Sequence, residues 1–135
     1  MIPADLTPEM LEFLRERHLA TLTTLRPDGS PHVVPVGFTY DEDKHVVRVI
    51  TFAPSQKAKH AQRGGRAVVS QVDGGRWLTL EGAVRLATRD NDNAEVNEAC
   101  ARYAMRYRQP KERDNRVAII ISVDRIMGRV SATNE

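Results

Sequence analysis

Leu19-Ala20-Thr21-Leu22-Thr23-Thr24-Leu25-Arg26-Pro27-Asp28-Gly29-Ser30-Pro31-His32-Val33-Val34-Pro35-Val36-Gly37-Phe38-Thr39-Tyr40 reads as two strands around a reversal. The arms are apolar and β-branched, which suits a pleated surface. Pro27 pre-sets its own φ and Gly29 accepts a left-handed position, so Arg26–Ser30 turns the chain back on itself. The returning arm alternates. His32, Val34, Val36, Phe38 and Tyr40 share one face, with Val33, Pro35, Gly37 and Thr39 on the other. Pro35 lacks an N–H and Gly37 lacks a side chain, so a bulge or a sheet edge is expected there.

Further strands follow on the C-terminal side. Asp41–Lys44 is a polar turn and His45–Phe52 a third strand, so three strands are expected to form a meander. Pro54-Ser55 opens a short helix to about Arg63, closed by Gly64-Gly65. Arg66–Val72 and Trp77–Leu86 form a second hairpin around Asp73-Gly74-Gly75-Arg76. Asp90 or Asn91 is expected to cap a longer helix carrying Val96, Ala99, Cys100, Tyr103 and Tyr107 at helical spacing, ended by Pro110. Val117–Val123 is almost continuously apolar and reads as a central strand buried on both faces. Before the first hairpin, Thr7 caps a helix with Pro8 in its first turn, running to about Arg17. Six mostly antiparallel strands with a few helices make a mainly β chain, a small six-stranded barrel. At 135 residues it is expected to form a single domain, residues 1–135.

Composition excludes several function classes. No apolar run approaches the length of a membrane span, and Met1-Ile2-Pro3-Ala4-Asp5 lacks the basic and apolar stretches of a secretory signal, so a cytoplasmic protein with no membrane partner is expected. The net charge of +2 fits an anionic small ligand. Nucleic acid is not expected as a partner, because the basic residues are scattered and aromatics are 5% of the chain. Cys100 stands alone and sits in a helical apolar stripe, as a packed thiol does. His18, His32, His45 and His60 fall at no metal-ligand interval, so no metal site is expected. Ser70, Ser122 and Ser131 lack a glycine-flanked elbow. Asp73 is accounted for by its turn and Glu81 by its strand, so no catalytic side chain is assigned.

Thr51-Phe52-Ala53-Pro54-Ser55-Gln56-Lys57-Ala58-Lys59 is the segment with chemistry to offer, because a strand ends there and a helix begins. Helix N-termini present unpaired N–H groups that suit a phosphate. Ser55 adds a hydroxyl and Lys57 a charge. A plain serine cap followed by solvated lysines accounts for the same residues, and spacing does not separate the two readings.

Thr51 with Ser55-Gln56-Lys57-Ala58 resembles the flavin-phosphate motif of the pyridoxamine 5′-phosphate oxidase-like split β-barrel family. The resemblance extends over the opening helix, the Leu19–Tyr40 hairpin and the Trp77–Leu86 strand, nearly the whole chain. Within the family, His18–Tyr40, Ser55–Ala58 and Ser70-Gln71-Val72-Asp73-Gly74 before Arg76-Trp77-Leu78 look most like the deazaflavin-dependent reductases of the biliverdin-reducing type. The resemblance implies a homodimeric split barrel with coenzyme F-420, a deazaflavin, held between subunits. It implies an oxidoreductase that passes a hydride to biliverdin or a similar conjugated acceptor. FMN is the alternative cofactor, in an oxidase or flavin reductase; a non-catalytic carrier of flavin or tetrapyrrole is the other alternative. Carried over, Ser55 and Lys57 hold the cofactor phosphate with Thr51 and Gln56 beside it, His32, Pro35 and Val36 line the ring, and Trp77 reaches in from the partner subunit. The family's arginine near the phosphate is missing from this segment, where Lys59 is the next cation. Lys111–Arg116 reads as a solvated connector of alternating charge, with Arg116 in reach of an acidic cofactor tail or a propionate.

Overall fold

A computed structural model describes residues 1–131 of the chain. After a 3₁₀ turn at Pro3–Asp5, helix α1 (Pro8–Arg15) begins where Thr7 Oγ1 accepts the Met10 N–H at 3.1 Å. Strands β1 (Ala20–Leu25) and β2 (Pro31–Val36) pair from Ala20 opposite Val36 to Leu25 opposite Pro31. Their turn is held by Asp28 Oδ1, which accepts the Ser30 N–H at 2.9 Å.

The meander expected next does not form. Gly37 and Phe38 divide the returning arm into β2 and a short β3 (Thr39–Asp41), which pairs instead with β4 (Val46–Phe52). After β5 (Arg66–Asp73), β6 (Arg76–Ala87) and β7 (Arg116–Arg129), the sheet has seven strands rather than six, ordered β2-β1-β5-β6-β7-β4-β3. The alternation of His32–Tyr40 is genuine, but its two halves serve opposite edges of the sheet. Two linking residues span roughly 10 Å. The sheet therefore curls until the end of β2 and the start of β3 meet, although no ladder joins them among the described residues. That is a split barrel.

The curl encloses a core of Phe13, Leu22, Phe38, Val47, Leu78, Leu80, Ile119 and Ile121. A second cluster, Ala87, Val96, Ala99, Ala118 and Ile120, lies under helix α3 (Arg89–Arg106). β7 runs between them: Ile119 and Ile121 point into the barrel, Ala118 and Ile120 toward α3. Burial on both faces explains the unbroken apolar run. β7 extends beyond Val123 to Arg129 because its later part is covered on one face only, and its polar residues there stay exposed. A bulge between Glu81 and Gly82 shifts the β6–β7 register, and a Cβ on Gly82 would lie 1.7 Å from the Ser122 carbonyl oxygen. Only glycine admits that approach.

α3 is capped by Thr88, not by Asp90 or Asn91. Thr88 Oγ1 accepts the Asn91 N–H at 3.1 Å and Asn91 Oδ1 accepts the Thr88 N–H at 2.8 Å. This reciprocal pair satisfies two otherwise orphaned donors. At the other end, Arg106 donates to the carbonyls of Glu16 and Phe38 and to Gln71 Oε1 at 2.6 Å. The Tyr107 hydroxyl donates to His18 O at 2.6 Å. These bonds fasten the end of α3 against the Gly37–Phe38 link, where a Cβ on Gly37 would lie 3.0 to 3.1 Å from the rings of Tyr107 and Tyr103.

Candidate functional site

β4 ends at Phe52, and helix α2 (Gln56–Arg63) starts three residues later under a Ser55 cap. Ser55 Oγ accepts the Ala58 N–H at 3.2 Å and lies 3.2 Å from Thr51 Oγ1. The helix supplies no carbonyl to the N–H groups of Gln56 and Lys57, which stay available to an acceptor. Thr51, Phe52 and Lys57 of this corner border a cavity of about 320 Å³ bounded by β2, β4, the start of α2 and the loop after α3, whereas Ser55 and Gln56 are not among its lining residues.

Pro35, Val36, Thr51 and Lys57 share its wall. Arg108, Lys111, Arg113 and Arg116 join them, making five cations with no carboxylate among the lining residues. Sequence reading named Lys57 and Arg116 and missed the other three, two of them because Lys111-Glu112-Arg113-Asp114 alternates in charge. In an irregular, partly extended segment alternation sorts charge by side: Lys111 and Arg113 line the cavity, whereas Glu112 and Asp114 do not. The loop is therefore a charged wall, and it provides the arginines absent from the Ser55 segment.

Arg116 is the most constrained cation. It is 8% exposed and donates to Lys111 O at 2.6 Å and Thr51 O at 3.4 Å, with no carboxylate partner among the described residues. A buried guanidinium with spare donors and no counter-charge is costly unless an anion completes it. Arg113 lies over the Phe52 ring at 5.2 Å from its centroid. Burial pushes the Lys57 ammonium below its ordinary pKa, and no hydrogen bond or ion pair holds it among the described residues.

Three other expected site residues lie differently. Gln56 is exposed at the first position of α2. His32 does not reach the cavity. Its ring packs edge-on against His60 of α2, with centroids 4.9 Å apart, and its Nδ1 is buried without a hydrogen bond. His60 in turn has Nδ1 2.8 Å from Thr24 Oγ1, so the two rings wedge α2 against β1 and β2. Trp77 starts β6 opposite Arg129, at the end of β7 remote from Arg116, and so lies away from this cavity within one chain.

Glu16, His18 and Asp73, distant in sequence, bring ligand-type atoms within 4.8 Å of one another. Arg76 occupies their centre, donating to Glu16 Oε2 at 2.8 Å and to Asp73. Its hydrogen bonds, with that of His18, hold the Glu16 carboxyl down at about 2. The guanidinium already supplies the positive charge.

The sequence profile described as pyridoxamine 5′-phosphate oxidase matches residues 6–129. The F420H(2)-dependent biliverdin reductase of Mycobacterium tuberculosis (strain CDC 1551 / Oshkosh) is 54% identical over 123 residues, 91% of this chain and 88% of that protein. Among solved structures, a conserved hypothetical protein of M. tuberculosis, Rv2991, superimposes with a TM-score of 0.74 at 22% identity, covering 90% of this chain and 82% of that one. An F420 reductase superimposes with a TM-score of 0.66 at 24% identity, covering 86% and 94%. Fold, profile and relative agree, and the chain belongs to the pyridoxamine 5′-phosphate oxidase family.

Proposed function

We propose that this protein is a reductase dependent on coenzyme F-420 that acts on biliverdin or a similar conjugated acceptor, as a homodimer in the cytoplasm. The observation that carries the reading is the acid-free cavity in which buried Arg116 has no counter-charge and beside which the Ser55 corner offers phosphate donors. The M. tuberculosis relative, at 54% identity, supplies the choice of coenzyme and acceptor.

The donor set fits an anionic cofactor. Ser55 Oγ, the N–H groups of Gln56 and Lys57 and the Lys57 ammonium are the donors at the start of α2 that would hold a phosphate beside the cavity that Lys57 lines. Lys111, Arg113 and Arg116 exceed what a single phosphate needs, which favours a cofactor with a further acidic tail over FMN. Pro35, Val36 and Ile50 give an apolar wall for a flat ring and keep water off it. When bound, the reduced deazaflavin supplies the hydride; the protein supplies position, charge and a dry surface. No side-chain nucleophile is required.

Two observations support the homodimer and the compartment. Val72 is 65% and Met127 53% exposed, on the same outward face as Trp77, an apolar strip unusual for a surface meant to stay wet. Pairing two such strips buries them and carries Trp77 toward the other subunit's cavity. The lone cysteine suits a reducing compartment.

Titration with F-420, followed by its fluorescence, and with FMN, followed by its absorbance, tests the reading. Saturable F-420 binding, with oxidation of the reduced coenzyme on adding biliverdin, is expected. Tight FMN binding with none of F-420 overturns it, and binding without turnover makes the protein a carrier.

A further inference from the structure

The acid-free wall does not end at the first cavity. Tyr103 and Arg108 also line a second cavity of about 440 Å³, whose other walls are Arg17, His18, Leu19 and Tyr107. The two cavities thus adjoin, with Tyr103 and Arg108 bordering both, and the second is the groove that runs from there to Arg17.

Many of the chain's arginines are held by acids, whereas those of this groove, among the described residues, are not. Arg15, Arg48, Arg66, Arg76, Arg85 and Arg102 each reach a carboxylate. Arg17 and Arg108 are exposed and reach none among the described residues. Between them lie flat and apolar surfaces. The rings of Tyr103 and Tyr107 stand 4.9 Å apart, tilted by 33°, and Leu19 is 66% exposed. The Tyr107 hydroxyl is committed to His18 O and the Phe38 N–H, so its ring is fixed in place rather than free to close the gap.

Two unpaired guanidiniums flanking an aromatic and aliphatic floor match a planar conjugated molecule that carries carboxylates. We infer that the groove from Tyr103 to Arg17 binds the carboxylate-bearing side of the acceptor, with Arg17 and Arg108 determining specificity for that group. The inference rests on the proposed function, in that the first cavity is left to the cofactor. It adds what that reading lacks, namely the residues that select an acidic acceptor and the side from which it enters.

The test is direct binding, independent of turnover. Biliverdin and its dimethyl ester are titrated into the wild-type protein and into Arg17→Gln, Arg108→Gln and the double variant, following quenching of Trp77 fluorescence and the biliverdin absorbance. F-420 affinity is measured on the same samples. Both arginines are exposed and lack acidic partners, so the variants are expected to fold, which circular dichroism checks. The double variant is expected to bind biliverdin about tenfold more weakly, the scale of losing charge-assisted contacts, with the ester affinity unchanged and lysine restoring part of the loss, and Arg17→Gln, which lies outside the first cavity, is expected to leave F-420 affinity unchanged. Unchanged biliverdin affinity, or equal loss for acid and ester, overturns the inference. A loss confined to F-420 also overturns it, by giving the groove to the cofactor's own tail. Absence of F-420 binding to the wild type sinks the proposed function instead, and the comparison of acid with ester still judges the groove.

Discussion

At the residue scale, the account turns on Lys57 and Arg116, two cations that the fold partly or wholly buries without pairing them. Lys57→Ala is expected to weaken F-420 binding by about 1–3 kcal/mol, the range for one charge-assisted hydrogen bond. Calorimetric titration checks it; an unchanged dissociation constant removes Lys57 from the site. Arg48 is a contrasting case, equally buried but fully matched by Asp41 at 2.9 Å and Glu95 at 2.8 Å. Burial alone would raise the Asp41 carboxyl, but Arg48, the Lys44 and Asp43 N–H groups and Arg102 outweigh it and hold it low. Arg48→Met strands Asp41 and Glu95 and is expected to cost about 3–5 kcal/mol in urea unfolding. A loss below 1 kcal/mol would mean that Arg102 alone suffices for Asp41. Ser55 and Lys57 were legible in the sequence because a helix start advertises its cap. The burial of Arg116 was not, since nothing local distinguishes an arginine that folds inward from one that stays in solvent.

At the element scale, α2 is both the helix at the proposed phosphate corner and the one wedged by His32 and His60. Burial first, then the charges of His32, Arg63 and Arg26, lower the His60 pKa below 6.5. The unfolded chain therefore binds this proton more readily than the folded one. Stability is full above about pH 6.5 and falls as pH drops toward the lowered folded value, then levels. Thermal melts between pH 8 and 5 should show that decline, and His60→Gln should flatten it; a decline of the same size in the variant assigns it to other groups. Element boundaries were readable where one physical signal acts, as with the Thr7 cap and the Arg26–Ser30 turn. They were misread where two elements share one pattern: the His32–Tyr40 alternation continues across Gly37 although the strand changes partners there. The loop after α3 failed for a related reason, since alternating charge averages to neutrality in a sequence window while an irregular, partly extended backbone separates the signs.

On the scale of the whole molecule, the open sheet is curled by connectivity. β2 and β3 are neighbours through two residues, which forces the curl and brings β2, β4, α2 and the end of α3 around one cavity. The strand types were legible; the count fell one short because the returning arm divides at Gly37 and Phe38, and the order was not legible, because which edges meet is a long-range property. The strip of exposed Val72 and Met127 with half-buried Trp77 belongs to this scale as well. Sedimentation equilibrium is expected to give twice the chain mass of 15.2 kDa. Val72→Lys should shift it toward the single-chain value, and a wild-type monomer would remove Trp77 from any shared site.

A crystal structure of the protein with F-420 tests the central claim most directly. The phosphate should lie within hydrogen-bond distance of Ser55 Oγ and Lys57 Nζ, with Arg116 facing an anionic oxygen of the same ligand. Coenzyme bound elsewhere, with that corner holding only solvent, would contradict the assigned chemistry and leave the split barrel alone standing.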